Sequence, residues 1–449
     1  MVLTMRVLIL SRTPIGERMS SPGIRYVNMR RVLQEALPGS TVTIASPEGY
    51  REPGARDFGV LYYEPLKAAA LVREYDVAIS MSFPMTVVAA SPFLERPKLV
   101  LDFFSQFHFE WLEVGRDLMT GLHRRLWNAA GREYINLQLL IADFVTCANE
   151  RQRDSYIGVM ASLGLLTPHT YEQDPTLRRL IDVVPHGVRP EPFPPGPGGV
   201  KGRFPGIEKG DRLLLWLGGI LYWYDPLTLL RALARAREKH PELKLLFLGT
   251  QYPGEWSLGR GLRLHQTIEE AKRLGLWDKG VFMQHEWLSQ AEVVPFLQDA
   301  DAAVTTYFTN GETRFAHRTR FQDYIWARLP IICTEGDVLA EMVQKRGWWA
   351  ALPEQDEDAV YRTLMRIAED DGFLKECRKN LAAAAGEMSW EAAFEPLVRF
   401  LSRAPERASV AEPRSRRRLA IARSAATYMA LRGLEKVEGR LQQRLGGRA

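Results

Sequence analysis

From Arg212 to Thr250 the sequence reads RLLLWLGGILYWYDPLTLLRALARAREKHPELKLLFLGT, and this stretch decides the fold class. The apolar runs RLLLWLGG and LKLLFLGT are typical of buried strands, whereas PLTLLRALARAREKH has the apolar spacing of a helix. A strand, a helix and a second strand in this order indicate an α/β fold, in which a parallel sheet is covered by helices on both faces.

The same alternation runs through both halves of the chain. Further strands are predicted at RVLILS (Arg6–Ser11), TVTIAS, YDVAISM, PKLVLDFF, ADFVTCA and LIDVVPHGV in the first half, and at VFMQHEW, ADAAVTTYF and LPIICTEG in the second. Between the halves, Arg189 to Asp211 is dense in proline and glycine, which is typical of a linker or hinge. We therefore predict two Rossmann-like domains, 1–190 and 211–388, joined by a hinge linker over 191–210.

The C-terminal part of the chain predicts two more helices. SWEAAFEPLVRFLSRA (389–404) is typical of a closing helix with a serine N-cap. A basic tail follows over 405–449, in which PERASVAEPRSRRR is polar and expected to be disordered. Beyond it the chain is helical in period, with an apolar face formed by Leu434, Val437, Leu441 and Leu445. Three interpretations stay open: an amphipathic helix on an anionic membrane, an oligomerisation helix, or a solvated extra helix.

Composition limits the class of protein. A single core rarely grows beyond about 250–300 residues, so a chain of 449 residues is expected to form two domains. The net charge of +5 is modest, and we find no groove-reading motif, so nucleic acid is not an expected partner. The three cysteines form no CxxC pair, which favours a reducing cytoplasm. No segment reaches the roughly 20 apolar residues of a membrane span.

GETRFAHRTRFQDYIWARLPIICTEGD, from Gly311 to Asp337, carries a cluster of arginines directly ahead of an apolar strand. It resembles the donor-binding region of family 4 (GT4) retaining glycosyltransferases, in which an acidic residue and a short helix precede a strand ending in Thr-x-Gly. Four other stretches resemble one bacterial subgroup of that family, which is often associated with cell-envelope polysaccharide assembly. They are RMSSPGIRYVNMRRVL, NERQRDSYIGVMASLG, DPTLRRLIDVVPHGV and GGILYWYDPLTLLRAL. The resemblance covers about Arg6 to Ala404.

This resemblance implies a GT-B fold, with two Rossmann-like domains facing a central cleft, here followed by a C-terminal helical extension. It implies transfer of a sugar, with retention, from a nucleotide-diphospho-sugar to a saccharide or lipid-linked glycan. We expect neither a cofactor nor a metal. The expected location is the cytoplasm, and peripheral contact of the basic tail with the inner face of the cell membrane is left open.

In similar enzymes the region around Gly311–Asp337 holds the donor. A basic residue at the position of Arg320 contacts the diphosphate, and an acidic residue at the position of Asp323 holds the ribose hydroxyls. Glu341 matches a glutamate that contacts ribose or a helix terminus. Backbone N–H groups of Gly336 and Asp337 are further candidate phosphate contacts. The alternative is a solvated basic helix face, which is how we interpret Arg328.

The sequence also departs from the family pattern. Phe315 occupies the position of the first glutamate of a paired-glutamate motif, and Glu312, one turn earlier, is the candidate to serve the donor sugar. Gly219 and Tyr224 stand where family members often carry an arginine and a lysine. We therefore expect Arg314, Arg318 and Arg320 to take over part of the diphosphate contact, helped by backbone N–H groups of Gly218 and Gly219. Tyr222, Trp223 and Tyr224 either stack on a sugar or base or pack between domains.

In the first half, RMSSPGIR and LDFFSQFHFEWLE follow predicted strands, and ligands of such folds lie at the carboxyl ends of the strands. Gly23 and Arg25 are candidate donor contacts, although Ser-Pro-Gly is also a common helix entry. Asp102 stands where many related enzymes have an active-site histidine, and His108 lies just beyond it. Both are candidate catalytic residues, whereas His186 is interpreted as structural.

Two other functions remain open from the sequence. A nucleotide-sugar 2-epimerase on the same fold requires paired carboxylates and a catalytic histidine, for which we find no clear set. A non-catalytic binding or scaffold protein is compatible with the missing family residues. The string Asp299–Asp301 matches a metal-binding Asp-x-Asp motif of another glycosyltransferase fold, but its position predicts a turn between a helix and a strand.

Overall fold

The structure is a computed structural model that describes residues 4–94, 97–251, 260–403 and 414–446. The chain forms two compact units. The first contains residues 1–185 together with 393–449, and the second contains 186–392. The first unit is therefore discontinuous in sequence, because its last segment follows the whole of the second unit.

Thirteen strands lie in the described part of the chain, and they are numbered in chain order. They are β1 (Arg6–Leu10), β2 (Thr41–Pro47), β3 (Leu61–Tyr63), β4 (Val77–Ser80), β5 (Lys98–Phe103), β6 (Phe144–Cys147), β7 (Ile181–Val183), β8 (Arg212–Leu217), β9 (Leu243–Leu248), β10 (Val281–Gln284), β11 (Ala302–Thr305), β12 (Ile331–Thr334) and β13 (Trp349–Leu352).

The α-helices of the described residues connect and cover these strands. They are α1 (Ser21–Ala36), α2 (Ala68–Arg73), α3 (Met85–Ala90), α4 (Phe107–Leu118), α5 (Gly121–Ile141), α6 (Glu150–Ser162), α7 (Pro168–Gln173), α8 (Pro226–Arg237), α9 (Arg260–Arg273), α10 (Gln290–Asp299), α11 (Gly311–Phe315), α12 (Arg320–Trp326), α13 (Val338–Lys345), α14 (Glu357–Glu369), α15 (Asp371–Glu387), α16 (Trp390–Ser402) and α17 (Arg418–Gly446).

Each unit has one parallel sheet, which confirms the predicted fold class. The order is β3-β2-β1-β4-β5-β6-β7 in the first unit and β10-β9-β8-β11-β12-β13 in the second. In both sheets the first strand of the unit, β1 or β8, pairs in parallel with strands on either side. The strand order reverses there, and the carboxyl ends of the strands on either side of such a point are where this kind of sheet places ligands. The strands β3 and β13 were not predicted from the sequence.

The first unit is completed by the C-terminal helices. Ser389 caps α16, since its hydroxyl accepts a hydrogen bond from the Ala392 amide at 3.2 Å, as the sequence predicts. Further along α16, the ring of Phe400 stacks on Phe144 of β6 with centroids 4.3 Å apart. The last helix, α17, then packs along α5.

Two expectations for the tail need correction. Residues 404–413 lie outside the described part of the chain, but Arg414 and Arg417 are ordered and buried, rather than part of a disordered linker. Arg414 donates to the Pro97 carbonyl and Arg417 to the Ala142 carbonyl, so both side chains fix the tail to the first unit. In the predicted apolar face, Leu434 and Val437 are exposed and do not form the contact with α5, whereas the side chains of Leu441 and Leu445 lie outside the described part of the chain.

Candidate functional site

The turn after β8 is built for close approach of a ligand to the backbone. Gly218 has a φ of 89°, in the left-handed region that favours glycine, and its amide donates to the Leu248 carbonyl of β9 at 2.7 Å. Among the residues that the structure describes, a Cβ placed on the next residue, Gly219, would have only the Thr250 carbonyl within 4 Å, at 3.8 Å. The described part of the chain therefore leaves space next to the backbone of this turn, at the carboxyl end of the central strand.

Arg320, the first residue of α12, lies beside this turn. Its Nη2 donates to the Gly219 carbonyl at 3.2 Å, and its guanidinium stacks 4.5 Å from the ring centroid of Tyr224 and 5.5 Å from that of Trp216. Its Nη1 is buried and has no hydrogen-bond partner within the residues that the structure describes. A charged donor that is buried without a partner is costly, so this atom is a natural position for an anionic ligand.

The position of α12 is itself fixed by the end of β8. The Leu217 amide donates to the Tyr324 hydroxyl at 3.0 Å, so the helix that carries Arg320 is tied to the strand that precedes the glycine turn. The neighbouring aromatic residues Tyr222, Trp223 and Tyr224 are all buried. Tyr224 forms an edge contact with Trp216 inside the second unit.

Arg318 has a different environment from Arg320. It forms a bidentate ion pair with Glu312 at 2.8 and 2.7 Å, and its Nε lies 3.4 Å from a carboxylate oxygen of Asp337. Burial alone lowers the pKa of Arg318, but the charges of Glu312 and Asp337, together with Tyr224, raise it overall. Because its charge is already matched, a role for Arg318 or Glu312 in holding donor requires this buried pair to break.

The remaining predicted residues of the second unit lie around this centre. Asp337 caps α13 by accepting from the Ala340 amide at 2.8 Å, and burial raises the pKa of its carboxyl. Gly336, with a φ of 121°, packs against Thr313. Arg314 and Glu341 are exposed, on α11 and α13 respectively.

Asp323 pairs with a residue that the sequence analysis did not identify. Its Oδ1 accepts from Arg189 Nη2 at 2.9 Å, and Arg189 also stacks over the Trp326 ring at 4.4 Å. Arg189 lies just before the predicted linker, 134 residues from its partner, and no motif or spacing connects the two. If Asp323 binds ribose, its carboxylate has to accept hydrogen bonds from both the ribose hydroxyls and Arg189. His186, in the same segment, stacks on His317, and its ring also lies 5.7 Å from the Trp390 ring in a tilted arrangement.

The first unit brings two predicted residues together in an unexpected way. Arg25 and Asp102 form a bidentate ion pair at 2.8 and 2.7 Å, and both side chains are 0% exposed. Asp102 also accepts from the Thr146 hydroxyl at 2.6 Å, and Arg25 also donates to the Val184 and Pro185 carbonyls. Both groups are thus fully engaged within the first unit, and their use as ligand contacts would require these bonds to open.

Gly23 and His108 take no part in that ion pair. A Cβ at Gly23 would lie 2.9 Å from the Met19 side chain and 3.1 Å from the Pro14 carbonyl, so this glycine allows the preceding loop to pack on α1. His108 is half-buried on α4, where burial and the nearby Arg132 lower the pKa of its imidazole.

The Asp299–Asp301 string is held by the linker. Asp299 ends α10 and accepts from the amides of Gly198, Val200 and Lys201 at 2.6–2.8 Å. Asp301 pairs with the Lys201 ammonium at 2.7 Å. These contacts agree with the turn predicted from the sequence. Among the residues that the structure describes, no group of three or more His, Cys, Asp and Glu side chains is placed to hold a metal ion.

Comparison with solved structures decides the fold. A structure of Anabaena HepE in complex with UDP and glucose matches 89% of this chain and 99% of its own, with a TM-score of 0.64 and 15% identity. The chain has the GT-B fold. WaaG, a glycosyltransferase involved in lipopolysaccharide biosynthesis, is a second such neighbour, with a TM-score of 0.59, 14% identity and coverage of 88% of this chain and 98% of that one.

The GT-B neighbours also include an enzyme of another class. A putative UDP-N-acetylglucosamine 2-epimerase from Listeria monocytogenes matches with a TM-score of 0.53 and 11% identity, covering 90% of this chain and 98% of its own. No family model matches the sequence, and no curated protein matches it. The neighbours with known complexes and pathways are thus similar in fold, and the function of this chain has to be argued from its own residues.

Proposed function

We propose that this protein is a glycosyltransferase of the GT4 type that moves a sugar from a nucleotide-diphospho-sugar to an acceptor. The observation that carries the proposal is the buried Nη1 of Arg320 beside the Gly218–Gly219 turn, for which the described residues offer no hydrogen-bond partner. A diphosphate placed against this turn would satisfy the free N–H and would meet the open backbone of the glycines. The complex of the HepE neighbour with UDP and glucose makes UDP the first nucleotide to test.

The chemistry needs a cation at this position. As the bond between the anomeric carbon and the phosphate oxygen breaks, negative charge grows on the departing diphosphate, and a fixed guanidinium stabilises that charge more in the transition state than in the ground state. The stack on Tyr224 and Trp216 holds Arg320 in place before the ligand arrives. We assign the leaving-group role to this arginine rather than to a metal.

We further propose that transfer proceeds with retention. The acceptor hydroxyl attacks the anomeric carbon from the face that the diphosphate leaves, and its proton passes to a diphosphate oxygen. This route needs no protein nucleophile, which agrees with the engagement of Asp102 and Glu312 in buried ion pairs. The proposed acceptor is a saccharide or a lipid-linked glycan of the cell envelope, reached on the cytoplasmic side.

The first experiment measures nucleotide binding by calorimetry and thermal shift in EDTA, with UDP, GDP, dTDP, ADP and CDP. We expect one nucleoside diphosphate to bind the wild type. Arg320→Ala should weaken that binding about 10- to 150-fold, because a hydrogen bond to a charged group is worth about 1.5–3 kcal/mol. Arg320→Lys should restore only part of it, since lysine keeps the charge but loses the planar fork.

Arg362→Ala is the matched control, because Arg362 is an exposed arginine of the same unit, on α14. Equal affinity of wild type and Arg320→Ala, with both proteins folded, would remove Arg320 from the donor site. If no nucleotide binds at all, the non-catalytic binding or scaffold protein becomes the better assignment.

A 2-epimerase is the second candidate, supported by the Listeria neighbour. The two enzymes differ in what they need: an epimerase converts the donor alone, whereas a transferase needs an acceptor. The two activities are distinguished by proton NMR. The protein is incubated, without acceptor, with a nucleotide-sugar that carries the nucleoside diphosphate found to bind. A changed coupling between the protons on C1 and C2 would identify the epimerase, and an unchanged spectrum supports the transferase.

A further inference from the structure

The helix α17 contacts the first unit through only one of its faces. Ile421, Ser424 and Glu435 are buried on that face. The Ser424 hydroxyl donates to Glu133 of α5 at 2.7 Å, and His123 of α5 lies 3.1 Å from Glu435. These contacts run in opposite directions along the two helices, so α17 and α5 form an antiparallel pair. The opposite face of α17 is directed away from this contact.

That outer face is apolar to a degree that is unusual for exposed positions. Leu419 is 83% exposed, Met429 61%, and Leu434 and Val437 are 57% exposed each. The apolar character continues at the start of the helix, where Phe93 is 70% exposed and lies under the Arg418 guanidinium at 5.0 Å. A run of exposed large apolar side chains along one helix marks an interaction surface rather than ordinary solvent contact.

The charges around this surface are segregated by sign. In the part of α5 and α17 for which side chains are described, the exposed charged residues are all basic: Arg125, Arg132, Arg418, Arg423, Lys436 and Arg440. The acidic residues of the same two helices, Glu133, Glu435 and Glu438, are buried or half-buried. Two of them, Glu133 and Glu435, are occupied by the contacts between the helices. The outer face is therefore apolar and positively charged.

We propose that the outer face of α17 binds a bilayer surface that contains anionic lipids. An interfacial helix of this kind lies in the plane of the membrane, with its apolar side chains in the acyl boundary and its basic side chains at the headgroups. Within the described part of the chain, none of the helices has the length and apolar character that a transmembrane span requires. A second copy of the chain is a poorer occupant, because it would bring two positively charged faces together.

The test is flotation of the purified full-length protein with vesicles of phosphatidylcholine alone or mixed with phosphatidylglycerol at 7:3. We expect binding to the anionic vesicles and weak binding to the neutral ones, with a decrease in high salt. The charge variant Arg423→Glu/Lys436→Glu/Arg440→Glu should bind at least about 100-fold more weakly, since each basic residue near an anionic surface contributes about 1 kcal/mol. The apolar variant Leu419→Ser/Leu434→Ser/Val437→Ser should lose the binding that persists in high salt.

The matched control Lys239→Glu/Lys375→Glu/Lys379→Glu makes the same change in net charge at exposed lysines of the second unit. It should keep vesicle binding, and Leu66→Ser, at an exposed leucine of the first unit, is the apolar control. All substitutions are at exposed positions, so unchanged melting temperatures should accompany them.

Equal loss of vesicle binding in the control and charge variants, or no binding of wild type to anionic vesicles, overturns the proposal. A wild-type dimer that the apolar variant dissociates, without vesicle binding, would replace it by self-association. The test uses no nucleotide and is independent of the proposed transferase activity.

Discussion

At the scale of single residues, the ion pair of Arg25 and Asp102 explains two polar side chains in the core of the first unit. Both side chains are fully buried, and the arginine also lies between the rings of Phe104 and Phe394. Removing one partner leaves an uncompensated buried charge. We therefore predict that Asp102→Ala lowers the free energy of unfolding by about 3–5 kcal/mol, measured by urea denaturation of the first unit.

The double variant Arg25→Met/Asp102→Leu is the informative comparison, because it removes both charges and keeps apolar volume. It should be more stable than either Arg25→Met or Asp102→Leu alone. The double-mutant cycle should therefore give a coupling energy that shows a stabilising interaction between the two native side chains. If Asp102→Ala instead melts like the wild type and loses only activity, Asp102 is a catalytic residue rather than a structural one.

Sequence reasoning identified both residues of this pair as important but not their contact. They are 77 positions apart, and no local spacing connects a helix residue after β1 with a strand residue of β5. The same holds for Arg189 and Asp323 in the second unit. By contrast, the resemblance of the Gly311–Asp337 stretch implies a diphosphate contact at Arg320 from the local order of charge, helix and strand, and this role stays a prediction.

At the scale of elements, the Asp299 carboxylate ties the backbone of the 191–210 segment, which lies within the second unit, to the end of α10. Asp299 accepts three backbone N–H groups from the linker. Asp299→Ala leaves these donors without their partner, so we predict a loss of about 2–4 kcal/mol in the unfolding of the second unit. Faster cleavage by trypsin after Lys201 should accompany it.

Glu376→Ala, at an exposed carboxylate of α15, is the control and should be neutral. If Asp299→Ala is neutral as well and cleavage at Lys201 is unchanged, these hydrogen bonds do not hold the linker. If Mg²⁺ stabilises the wild type but not Asp299→Ala, the Asp-x-Asp string binds a metal ion rather than only forming a turn.

All strands of the sheet interiors were predicted, whereas two of the four edge strands, β3 and β13, were not. Interior strands such as β8 and β9 are buried on both faces, which gives the uninterrupted apolar runs that sequence reasoning detects. The two missed strands, β3 and β13, are edges of their sheets with three and four residues. Leu61 of β3 is 40% exposed, so the short β3 segment lacks the uninterrupted apolar run that marks a strand buried on both faces. The orientation of α17 was also missed, because its contact face mixes Ile421 and Tyr428 with the polar Ser424 and Glu435 and so shows no continuous apolar stripe.

In the whole molecule, the two units differ in continuity: the first is built from two separate segments of the chain, and the second from one. The second is one continuous segment, and it contains the glycine turn and Arg320. We therefore predict that residues 186–392, expressed alone, fold cooperatively and bind the nucleoside diphosphate within about tenfold of the full chain's affinity, which is about 1.4 kcal/mol. Calorimetry on both proteins measures the difference.

A folded 186–392 fragment that binds no nucleotide would show that the first unit supplies an essential donor contact. The control is the same fragment carrying Arg320→Ala, which should bind no better than the full-length Arg320→Ala protein. Together these two fragments locate the donor affinity within the chain independently of any acceptor.

The discontinuity of the first unit also sets an order of events on the ribosome. Its first segment emerges before the second unit, and its last segment, from Ala393 onward, emerges after it. At about 5–20 residues per second, synthesis of the roughly 200 intervening residues takes about 10–40 s. For that time the nascent chain presents the surfaces that α16 and α17 later cover, including Phe144 and the contact face of α5. The protein thus completes its N-terminal unit last, and until then this unit is the natural client of a chaperone.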